Sequence, residues 1–492
     1  MCVPEGEGQK ALRALEKNFE LELARSTVNS VSLMTGMCVV AIIGEGMCEV
    51  PGVTAKFMSA LADANVNIRL IAQGSSERQV AVVVDGEDES RALRAVHMAF
   101  TLSETVASVS ILGTSGRLGQ ELLAQLDAQR DSLREDLKIE VRPIAATTSS
   151  AMVLDDTAQG LDLDKVQAAL AEFPQKDDDV CATDGICVQE LDMGLLTDFI
   201  EADVNPHRII VDCTASTSGI SANYERWLGK GVNIICPSKG AVAGPLEQYK
   251  AAKHAARRSG ALWQYESAVG AALPIVGAVR DLLETGDTVK SINGCVSGTL
   301  AYVLKSIEED GTTFSAAVKK AVDLGYTEPD VREDLTGLDM AEKAVTMARE
   351  CGLELSIEDV AIEGLIPQDL ATKSFPDDMK ATEVTQEVLK VMGSSLDEAM
   401  AEKLKEAKAE DKVLRYSMTV DVEKGTASVG LKAVDITDPL FRLKDDENLV
   451  SFTTGRYNKS PLIVKGSAAG AELAASGIFA DILRLARVFS RD

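Results

Sequence analysis

The chain has 492 residues, and 50 lysines and arginines against 77 aspartates and glutamates give it a net charge of −27 at pH 7. A surface this acidic repels phosphate backbones and anionic lipids, which argues against a nucleic-acid-binding or membrane-surface protein. The length predicts about three domains, and 46% apolar residues suffice for their cores, which should be aliphatic because only 4% of the residues are aromatic.

The nine cysteines and three histidines form no pattern typical of a zinc site or a disulfide framework, since no C-x-x-C pair occurs. This pattern predicts reduced thiols in an intracellular protein. The N-terminus lacks a basic segment followed by an apolar one, and the longest uncharged stretch, 26–44, is interrupted by polar residues. We therefore expect no secretory signal and no membrane span, and a cytoplasmic location, or a plastid if a transit peptide precedes this numbering.

The first 106 residues predict a helix and then a small α/β domain. Leu12, Leu15, Phe19 and Leu23 recur at helical spacing, so residues 1–30 are assigned to a helical remnant and linker. Residues 31–106 predict strand, helix, two strands and helix, and a last strand is expected near 106–112. This βαββαβ order is typical of a ferredoxin-like domain.

A second domain is predicted to begin at residue 107. Apolar runs alternate with helical patterns through residue 258, which predicts an α/β domain with a parallel sheet and helices on both faces. The acidic segment 155–205 is expected to supply helices and loops at the edge of that sheet. Mixed strands and longer helices predict a third, α+β domain over residues 259–460, with residues 461–492 returning to the second domain. The densely charged stretch 397–412 predicts a solvated helix.

A glycine-rich turn joins the first strand and helix of the second domain. Its sequence, Gly113-Thr114-Ser115-Gly116-Arg117-Leu118-Gly119, is a G-x-x-G-x-x-G variant of the dinucleotide fingerprint. Glycines let backbone N–H groups approach a pyrophosphate at a helix N-terminus. The spacing by itself is also compatible with an ordinary strand-to-helix turn, although the βαβ context favours the Rossmann-like interpretation. The next strand ends without an Asp or Glu to bind a ribose 2′-hydroxyl, which favours NADP over NAD.

Further strings are more specific, namely Val211-Asp212-Cys213-Thr214-Ala215-Ser216, Pro237-Ser238-Lys239-Gly240 and Leu324-Gly325-Tyr326-Thr327-Glu328-Pro329-Asp330, the last followed by Asp334, Asp339 and Lys343. With these strings, residues 107–490 resemble homoserine dehydrogenase. The preceding segment, which contains Ile71-Ala72-Gln73-Gly74-Ser75-Ser76-Glu77, resembles the second ACT domain of bifunctional aspartokinase–homoserine dehydrogenase. The chain thus looks like the C-terminal part of such a protein, without the kinase and the first ACT domain.

The resemblance implies roles for particular residues. Lys343 is similar to the proton donor of the family, and Lys239 to a second lysine at the substrate and nicotinamide. Without the family, Asp339 and Lys343 would be interpreted as an ordinary i,i+4 salt bridge. The implied substrate-binding residues are Glu328, Asp339, Asp334 and Tyr326. The implied cofactor-binding residues are Gly113, Ser115, Gly116, Arg117, Leu118, Gly119, Thr214, Lys239, Gly325 and Gly470.

Two further sites are implied by the resemblance. Glu266, with the backbone carbonyls of Val269, Ala271 and Leu273, is similar to a structural site for a monovalent cation, Na⁺ or K⁺. The alternative is a buried glutamate that caps the following loop. In the ACT-like segment, Gln73 is a candidate effector ligand, with threonine as the effector.

These residues predict an NADP-preferring homoserine dehydrogenase that reduces L-aspartate 4-semialdehyde to L-homoserine. The resemblance implies a homodimer or tetramer, a small-molecule substrate and a possible aspartokinase partner. Two alternatives remain open. One is another NADP-dependent reductase, because the glycine turn also resembles that of dihydrodipicolinate reductase. The other is a catalytically silent, amino-acid-sensing regulatory subunit.

Overall fold

The computed structural model describes residues 2–44, 47, 50–74, 78–101, 105–155, 157, 159–172, 180–181, 187–202, 205–214, 219–328, 330–376, 379–444 and 447–489. Six residues of the strings quoted above, Ser75, Ser76, Glu77, Ala215, Ser216 and Pro329, lie outside these ranges, as does part of segment 155–205. The chain divides into two compact units. Unit 1 comprises Met1–Val106 and Ala202–Pro206, and unit 2 comprises Ala107–Glu201 and His207–Asp492.

Unit 1 contains a small α/β domain in which two helices cover one face of a sheet. Its elements are α1 (Gly8–Asn18), α2 (Glu20–Ala24), β1 (Met37–Ile43), α3 (Val53–Asp63), β2 (Leu70–Gln73), β3 (Gln79–Asp85) and α4 (Glu89–Thr101). The strands are antiparallel in the order β1-β3-β2. Phe57 and Leu61 of α3 are buried with Val80, Val82 and Val84 of β3, the alternate residues that point to the helices.

The strand predicted to complete this domain belongs to another sheet. β4 (Thr105–Leu112) pairs in parallel with the strand Arg208–Asp212 of unit 2. The βαββαβ prediction was therefore wrong at its last strand. The physical reason is burial: seven of the eight residues of β4 are buried, as a central strand covered on both faces requires, whereas a strand of a one-sided sheet alternates.

The first part of unit 2 is built on an eight-stranded sheet. Its elements are β4, α5 (Arg117–Asp136), β5 (Ile139–Thr147), β6 (Ala151–Leu154), α6 (Leu163–Glu172), β7 (Val180–Cys181), β8 (Cys187–Glu190), α7 (Met193–Glu201), β9 (Arg208–Asp212), α8 (Tyr224–Gly229), β10 (Asn233–Ile235), α9 (Lys239–Ala243), α10 (Leu246–Ser259) and β11 (Trp263–Gln264).

The strand order of this sheet is β11-β10-β9-β4-β5-β6-β8-β7. The neighbours from β11 to β4 are parallel, whereas β5, β6, β8 and β7 pair antiparallel. The prediction of a parallel sheet was thus correct for the half of the sheet from β11 to β4 and wrong for the half from β5 to β7. The segment expected to hold only helices and loops adds β7 and β8, strands of 2 and 4 residues that are too short to produce a periodic pattern.

The second part of unit 2 is α+β, as predicted. Its elements are α11 (Val276–Glu284), β12 (Val289–Cys295), α12 (Gly298–Asp310), α13 (Phe314–Asp323), α14 (Val331–Leu335), α15 (Leu338–Glu350), β13 (Val360–Ile362), α16 (Gln368–Ala371), α17 (Ala381–Val391), α18 (Ser394–Ala409), β14 (Val413–Asp421), β15 (Thr426–Val434), β16 (Glu447–Thr454), β17 (Leu462–Ser467) and α19 (Ala471–Phe489).

Its sheet has the order β13-β15-β14-β12-β16-β17 and is antiparallel except for the β13–β15 pair. Helix α15, which carries Asp339 and Lys343, packs on β14 and β15. The charged helix α18 is solvated on one side only, because Met400, Leu404 and Ala407 are buried. No helix in the described ranges is long and apolar enough to span a bilayer.

The chain end connects the two parts of unit 2. Strand β17 still belongs to the six-stranded sheet, and the return to the first part begins with α19. Ile478, Ile482 and Leu485 of α19 share a buried cluster with Leu122 and Leu126 of α5, the helix that follows the glycine turn.

Candidate active site

The glycine turn lies between β4 and α5, and two backbone hydrogen bonds join it to the end of β5. The backbone N–H groups of Gly113 and Thr114 donate to the Thr147 carbonyl at 3.0 and 2.9 Å. Gly113 has φ +83°, and a Cβ there would lie 3.0 Å from the Thr214 nitrogen. A Cβ on Gly119 would lie 2.8 Å from Thr114 Cα. Both positions therefore require glycine for packing.

The outer side of the turn is open to a ligand. Ser115, Gly116 and Arg117 are exposed, and Leu118 is half-buried against the core beneath α5. Helix α5 begins at Arg117, so its first N–H groups have no acceptors within the helix and point outward. Exposed Ser115, Gly116 and Arg117 thus border a surface that can hold a pyrophosphate, whereas Gly113 and Gly119 pack beneath it and Leu118 packs against the core. Among the described residues of the turn, Arg117 is the exposed cation.

Thr214 follows the end of β9 and is held by a residue that the sequence analysis did not select. Asp212 Oδ1 accepts from the Thr214 N–H at 3.0 Å and from the Thr214 hydroxyl at 2.6 Å. Asp212 Oδ2 accepts from the Tyr224 hydroxyl at 2.7 Å. Burial raises the pKa of Asp212, against the three hydrogen bonds that lower it. The available sequence signal was an acidic residue directly after the apolar run Ile209-Ile210-Val211.

Lys239 follows β10 and begins α9. Gly113, Thr214 and Lys239 therefore follow the carboxyl ends of three neighbouring parallel strands, β4, β9 and β10. In open α/β sheets, ligands bind in the crevice outside these ends. A dinucleotide that starts at the glycine turn can extend past Thr214 to Lys239.

The structure brings Lys239 to the predicted pair on α15. Lys343 Nζ donates to Asp339 Oδ2 at 2.7 Å and to the Val296 carbonyl at 2.6 Å. Lys239 Nζ pairs with the other oxygen, Asp339 Oδ1. Burial would raise the pKa of Asp339, but the charges of Lys343 and Lys239 outweigh it and lower the pKa to about 2. Burial would lower the pKa of Lys239, but the charge of Asp339 outweighs this effect and raises it. Asp339 is thus an ionised bridge between two ammonium groups.

A loop of carboxylates faces this bridge. The loop begins after α13 with Gly325, at φ +73°, and with Tyr326, whose side chain is 50% exposed. Glu328 is exposed, and its backbone N–H donates to Asp334 Oδ2 at 2.9 Å. Asp334 is only 5% exposed, and burial together with the charges of Asp339 and Glu328 raises its pKa to about 7, although the Glu328 N–H opposes this. Asp334 therefore orders the loop that carries Glu328.

Two further acidic residues interact electrostatically with Lys239 and Asp339. Burial raises the pKa of Glu342, and its charged neighbours include Lys239 and Asp339. Burial and the charge of Glu328 raise the pKa of Glu333. Glu342 is not among the residues predicted from the sequence, and no local signal marks it. Asp330 has a structural role, because its Oδ1 accepts from the Arg332 N–H at 3.0 Å and caps α14.

Gly470 lies directly before α19 and has φ +100°, a conformation that favours glycine. It is exposed, and a Cβ there would meet nothing within 4 Å. The helix that it starts packs on α5. Its predicted contact with a cofactor thus remains a prediction.

Glu266 is 3% exposed and caps the start of α11. Its carboxylate accepts from the N–H groups of Val276 and Gly277 at 2.7 and 2.9 Å, and it pairs with Arg484 at 3.2 Å. The backbone N–H of Glu266 donates to Asp481 on the same helix as Arg484. These contacts are those of the capping alternative, and they join the loop to α19.

The carbonyls predicted to accompany Glu266 differ in their surroundings. The Leu273 carbonyl accepts from the Ile275 N–H at 2.8 Å. In the described part of the chain, the carbonyls of Val269 and Ala271 accept no hydrogen bond, and Ala271 has φ +54°. Two carbonyl oxygens without a donor fit an oxygen-coordinated cation.

Gln73 is the last residue of β2 in unit 1, is exposed and pairs in register with Val80. The outer face of this sheet, the face turned away from α3 and α4, is apolar. Val39 is 52% and Leu70 is 45% exposed on it. An apolar face of this kind is typical of an interaction surface.

Comparison with known proteins identifies the parts of the chain. Profiles described as ACT domain, as homoserine dehydrogenase NAD binding domain and as homoserine dehydrogenase match residues 40–100, 115–266 and 274–483. A homoserine dehydrogenase of Schizosaccharomyces pombe is 31% identical over 388 residues, which cover 78% of this chain and 96% of that protein.

Longer relatives also match the ACT segment of this chain. A chloroplastic bifunctional aspartokinase/homoserine dehydrogenase of Zea mays is 40% identical over 487 residues, 99% of this chain. The chain spans about half the length of the bifunctional plant relatives that it matches, 50% in this case. Among solved structures, a hyperthermophilic archaeal homoserine dehydrogenase in complex with NADPH matches 78% of this chain and 98% of its own with a TM-score of 0.57. At 21% identity this match shows a shared fold.

Proposed function

The chain belongs to the homoserine dehydrogenase family, and we propose that it catalyses the reversible, NADPH-dependent reduction of L-aspartate 4-semialdehyde to L-homoserine. The observation that carries this proposal is the bridge of Lys239, Asp339 and Lys343, which lies where the crevice of the nucleotide-binding sheet meets α15. The product feeds the formation of threonine, methionine and isoleucine.

We assign proton donation to Lys343. An ammonium group has three N–H donors, and two of those on Lys343 are used by Asp339 and by the Val296 carbonyl. The third is left for the aldehyde oxygen, which takes a proton as its carbon is reduced. Asp339 holds the ammonium in place and stabilises its charge before the transfer.

The α-ammonium group of the substrate requires carboxylates. Exposed Glu328 is proposed to bind it, together with Asp339, while Asp334 orders the loop through the Glu328 N–H. Tyr326 is proposed to border the substrate from the same loop. The carboxylates of Asp339 and Glu328 together offset the two lysine ammonium groups, so the site suits a zwitterion.

We propose that the dinucleotide lies on the glycine turn, with contacts from Thr214, Lys239, Gly325 and Gly470. When bound, it supplies the hydride. NADP is preferred because β5 ends at Thr147 and no carboxylate follows that would repel a 2′-phosphate, whereas Arg117 is exposed beside the turn.

Four further proposals concern a cation, an effector, a partner and the location of the chain. A monovalent cation is proposed at the carbonyls of Val269 and Ala271, where Arg484 already supplies part of the positive charge beside Glu266. Threonine is proposed as an effector bound at Gln73, with two copies of the ACT domain forming the interface in a homodimer or tetramer. An aspartokinase partner is proposed because relatives such as the Zea mays protein are named as bifunctional. The cytoplasm or, as in the names of the plant relatives, the chloroplast is the proposed location.

A direct assay tests the central proposal. Purified chain is given aspartate 4-semialdehyde with NADPH or with NADH, and the absorbance of the reduced nicotinamide is followed. We expect turnover with NADPH and a lower kcat/KM with NADH. Binding of NADPH without turnover of the semialdehyde would support the silent regulatory subunit. Turnover only of other carbonyl substrates would support a different reductase.

A further inference from the structure

Thr214 lies midway along the crevice, between the glycine turn and the lysines. It follows β9, the strand between β4 and β10, and its backbone nitrogen is close enough to Gly113 that a Cβ on that glycine would lie 3.0 Å away. A group bound beside Thr214 is therefore the part of the ligand that approaches Lys239. In a dinucleotide bound at the turn, this part is the nicotinamide end.

The hydrogen bonds of Asp212 decide which groups Thr214 can offer. The Thr214 N–H can only donate, and it points to Asp212 Oδ1, so this oxygen acts as an acceptor. The Thr214 hydroxyl donates to the same oxygen at 2.6 Å. The second oxygen, Oδ2, accepts from the buried Tyr224 hydroxyl at 2.7 Å, which keeps the carboxylate from turning.

Both donors of Thr214 are thus used inside the protein. What remains towards the crevice is the lone pairs of its hydroxyl oxygen. We infer that Asp212 is a positioning residue that makes Thr214 an acceptor, and that Thr214 receives the N–H of the nicotinamide carboxamide. This inference rests on the proposed dinucleotide site. It would orient the carboxamide, because the NH₂ side would face Thr214.

Nicotinamide analogues test the direction of this hydrogen bond through binding. Dissociation constants are measured by titration calorimetry for NADP⁺, for its thionicotinamide analogue, which keeps the NH₂ group, and for its 3-acetylpyridine analogue, which has a methyl group there. We expect the acetylpyridine analogue to bind about 3- to 10-fold more weakly than the thionicotinamide analogue, the loss of one neutral hydrogen bond.

Variants of Thr214 and Asp212 test whether these residues cause the difference in binding between the two analogues. Thr214→Val should abolish the ratio between the analogues, whereas Thr214→Ser should keep it. Asp212→Asn should also keep the ratio, because the Thr214 N–H holds the amide oxygen at the position of Oδ1. Asp212→Ala should lose it, since the hydroxyl is then free to donate.

The outcomes separate this inference from the proposal on which it rests. No binding of any dinucleotide to the wild-type chain would refute the dinucleotide site itself. Binding of all three with equal constants, or an unchanged ratio in Thr214→Val, would overturn the assignment to Thr214. If Asp212→Ala does not fold, as judged by circular dichroism, the Thr214→Val and Thr214→Ser pair decides, because neither substitution alters the buried carboxylate.

Discussion

Asp339 controls the charge balance of the site at the scale of single residues. It is ionised, with a pKa of about 2, because two ammonium groups lie against its oxygens. Asp334, five residues earlier, is buried, and its burial together with the charges of Asp339 and Glu328 raises its pKa to about 7. Two aspartates on consecutive helices thus have opposite shifts because one is paired with lysines and the other is near carboxylates.

The role of Lys343 predicts the effect of its removal. Lys343→Ala should lower kcat by about 10²- to 10⁴-fold, because the aldehyde oxygen loses its proton donor. The Kd for NADPH should change little, since Lys343 contacts Asp339 and Val296 on the substrate side. Stopped-flow turnover and calorimetric binding measure the two effects. Lys424→Ala, on the exposed turn between β14 and β15, is the control. Wild-type turnover in Lys343→Ala would refute the assignment of proton donation.

The raised pKa of Asp334 predicts that the free energy of unfolding depends on pH. Its pKa is raised to about 7 in the folded chain from an ordinary value of 3.8, so the folded state binds more protons between these values. The favourable contribution is complete below about pH 4 and is lost as the pH rises through 7. Asp334→Asn should remove this loss and raise the free energy of unfolding near pH 8 by on the order of 2–4 kcal/mol relative to wild type. Asp339 acts in a separate window, because its lowered pKa contributes stability above about pH 4 that is lost as the pH falls through about 2.

Denaturant unfolding at several pH values measures this difference. The exposed Asp323→Asn substitution is the matched control, since no buried charge is removed there. A constant difference between Asp334→Asn and wild type from pH 5 to pH 8 would contradict the prediction, because it would show that Asp334 does not titrate in this range.

At the scale of elements, the glycines of the turn have two different roles, which are close packing and access for a ligand. Gly119 lies where α5 crosses the turn, and an added Cβ would come within 2.8 Å of Thr114 Cα. At Gly116 the nearest atom to an added Cβ is the Gly113 carbonyl oxygen at 3.5 Å, an ordinary contact. The two glycines therefore serve different purposes.

We expect Gly119→Ala to lower Tm by several degrees, since backbone must move to accept the methyl group. Gly116→Ala should leave Tm nearly unchanged but weaken NADPH binding, because its methyl group lies on the exposed side where the pyrophosphate approaches. Differential scanning fluorimetry with and without NADPH measures both. Equal loss of Tm in the two variants would contradict this division of roles.

The loop around Glu266 predicts an effect of cations on the junction with α19. Replacing choline by K⁺ or Na⁺ at constant ionic strength should raise Tm by a few degrees, as expected for a ligand of the folded state. Glu266→Gln should lower Tm and reduce this response, whereas Glu284→Gln at the exposed end of α11 should change neither. The same Tm in all three salts would show that Arg484 alone compensates the charge of Glu266.

At the scale of the whole molecule, the chain combines a region of the homoserine dehydrogenase family, in unit 2, with a small ACT domain, in unit 1. Unit 1 carries the ACT segment with an apolar outer face, and unit 2 contains the complete bridge of lysines and Asp339. Regulation would require that threonine binds two states of the assembly with different affinity.

Threonine is expected to lower the initial rate of NADPH oxidation and to raise Tm. Gln73→Ala should weaken both responses and leave the rate without threonine unchanged, whereas Gln79→Ala, an exposed residue on β3 of the same sheet, should retain them. Light scattering alongside the titration measures the assembly. If threonine alters neither rate nor Tm up to well above millimolar concentration, the ACT domain serves assembly only.

Local sequence was sufficient for features that depend on neighbouring residues. Helical spacing placed Asp339 and Lys343 on one face of α15, and the strand–glycine–helix pattern located the turn at 113–119, because backbone geometry alone sets such spacing. The motifs named the family, and the family profiles and the Schizosaccharomyces pombe relative confirm it.

Tertiary structure decided what depends on residues far apart in the chain. The pairing of Lys239 with Asp339 joins positions 100 residues apart, and the pairing of Glu266 with Arg484 joins positions 218 apart. The sequence assigned residues 106–112 both to the ACT segment and to the strand before the glycine turn, and only the pairing of β4 with β9 decided between the two. The raised pKa of Asp334 likewise results from desolvation and distant charges. Spacing along the chain contains no information on these quantities, because dielectric surroundings and strand partners are set only when the chain packs.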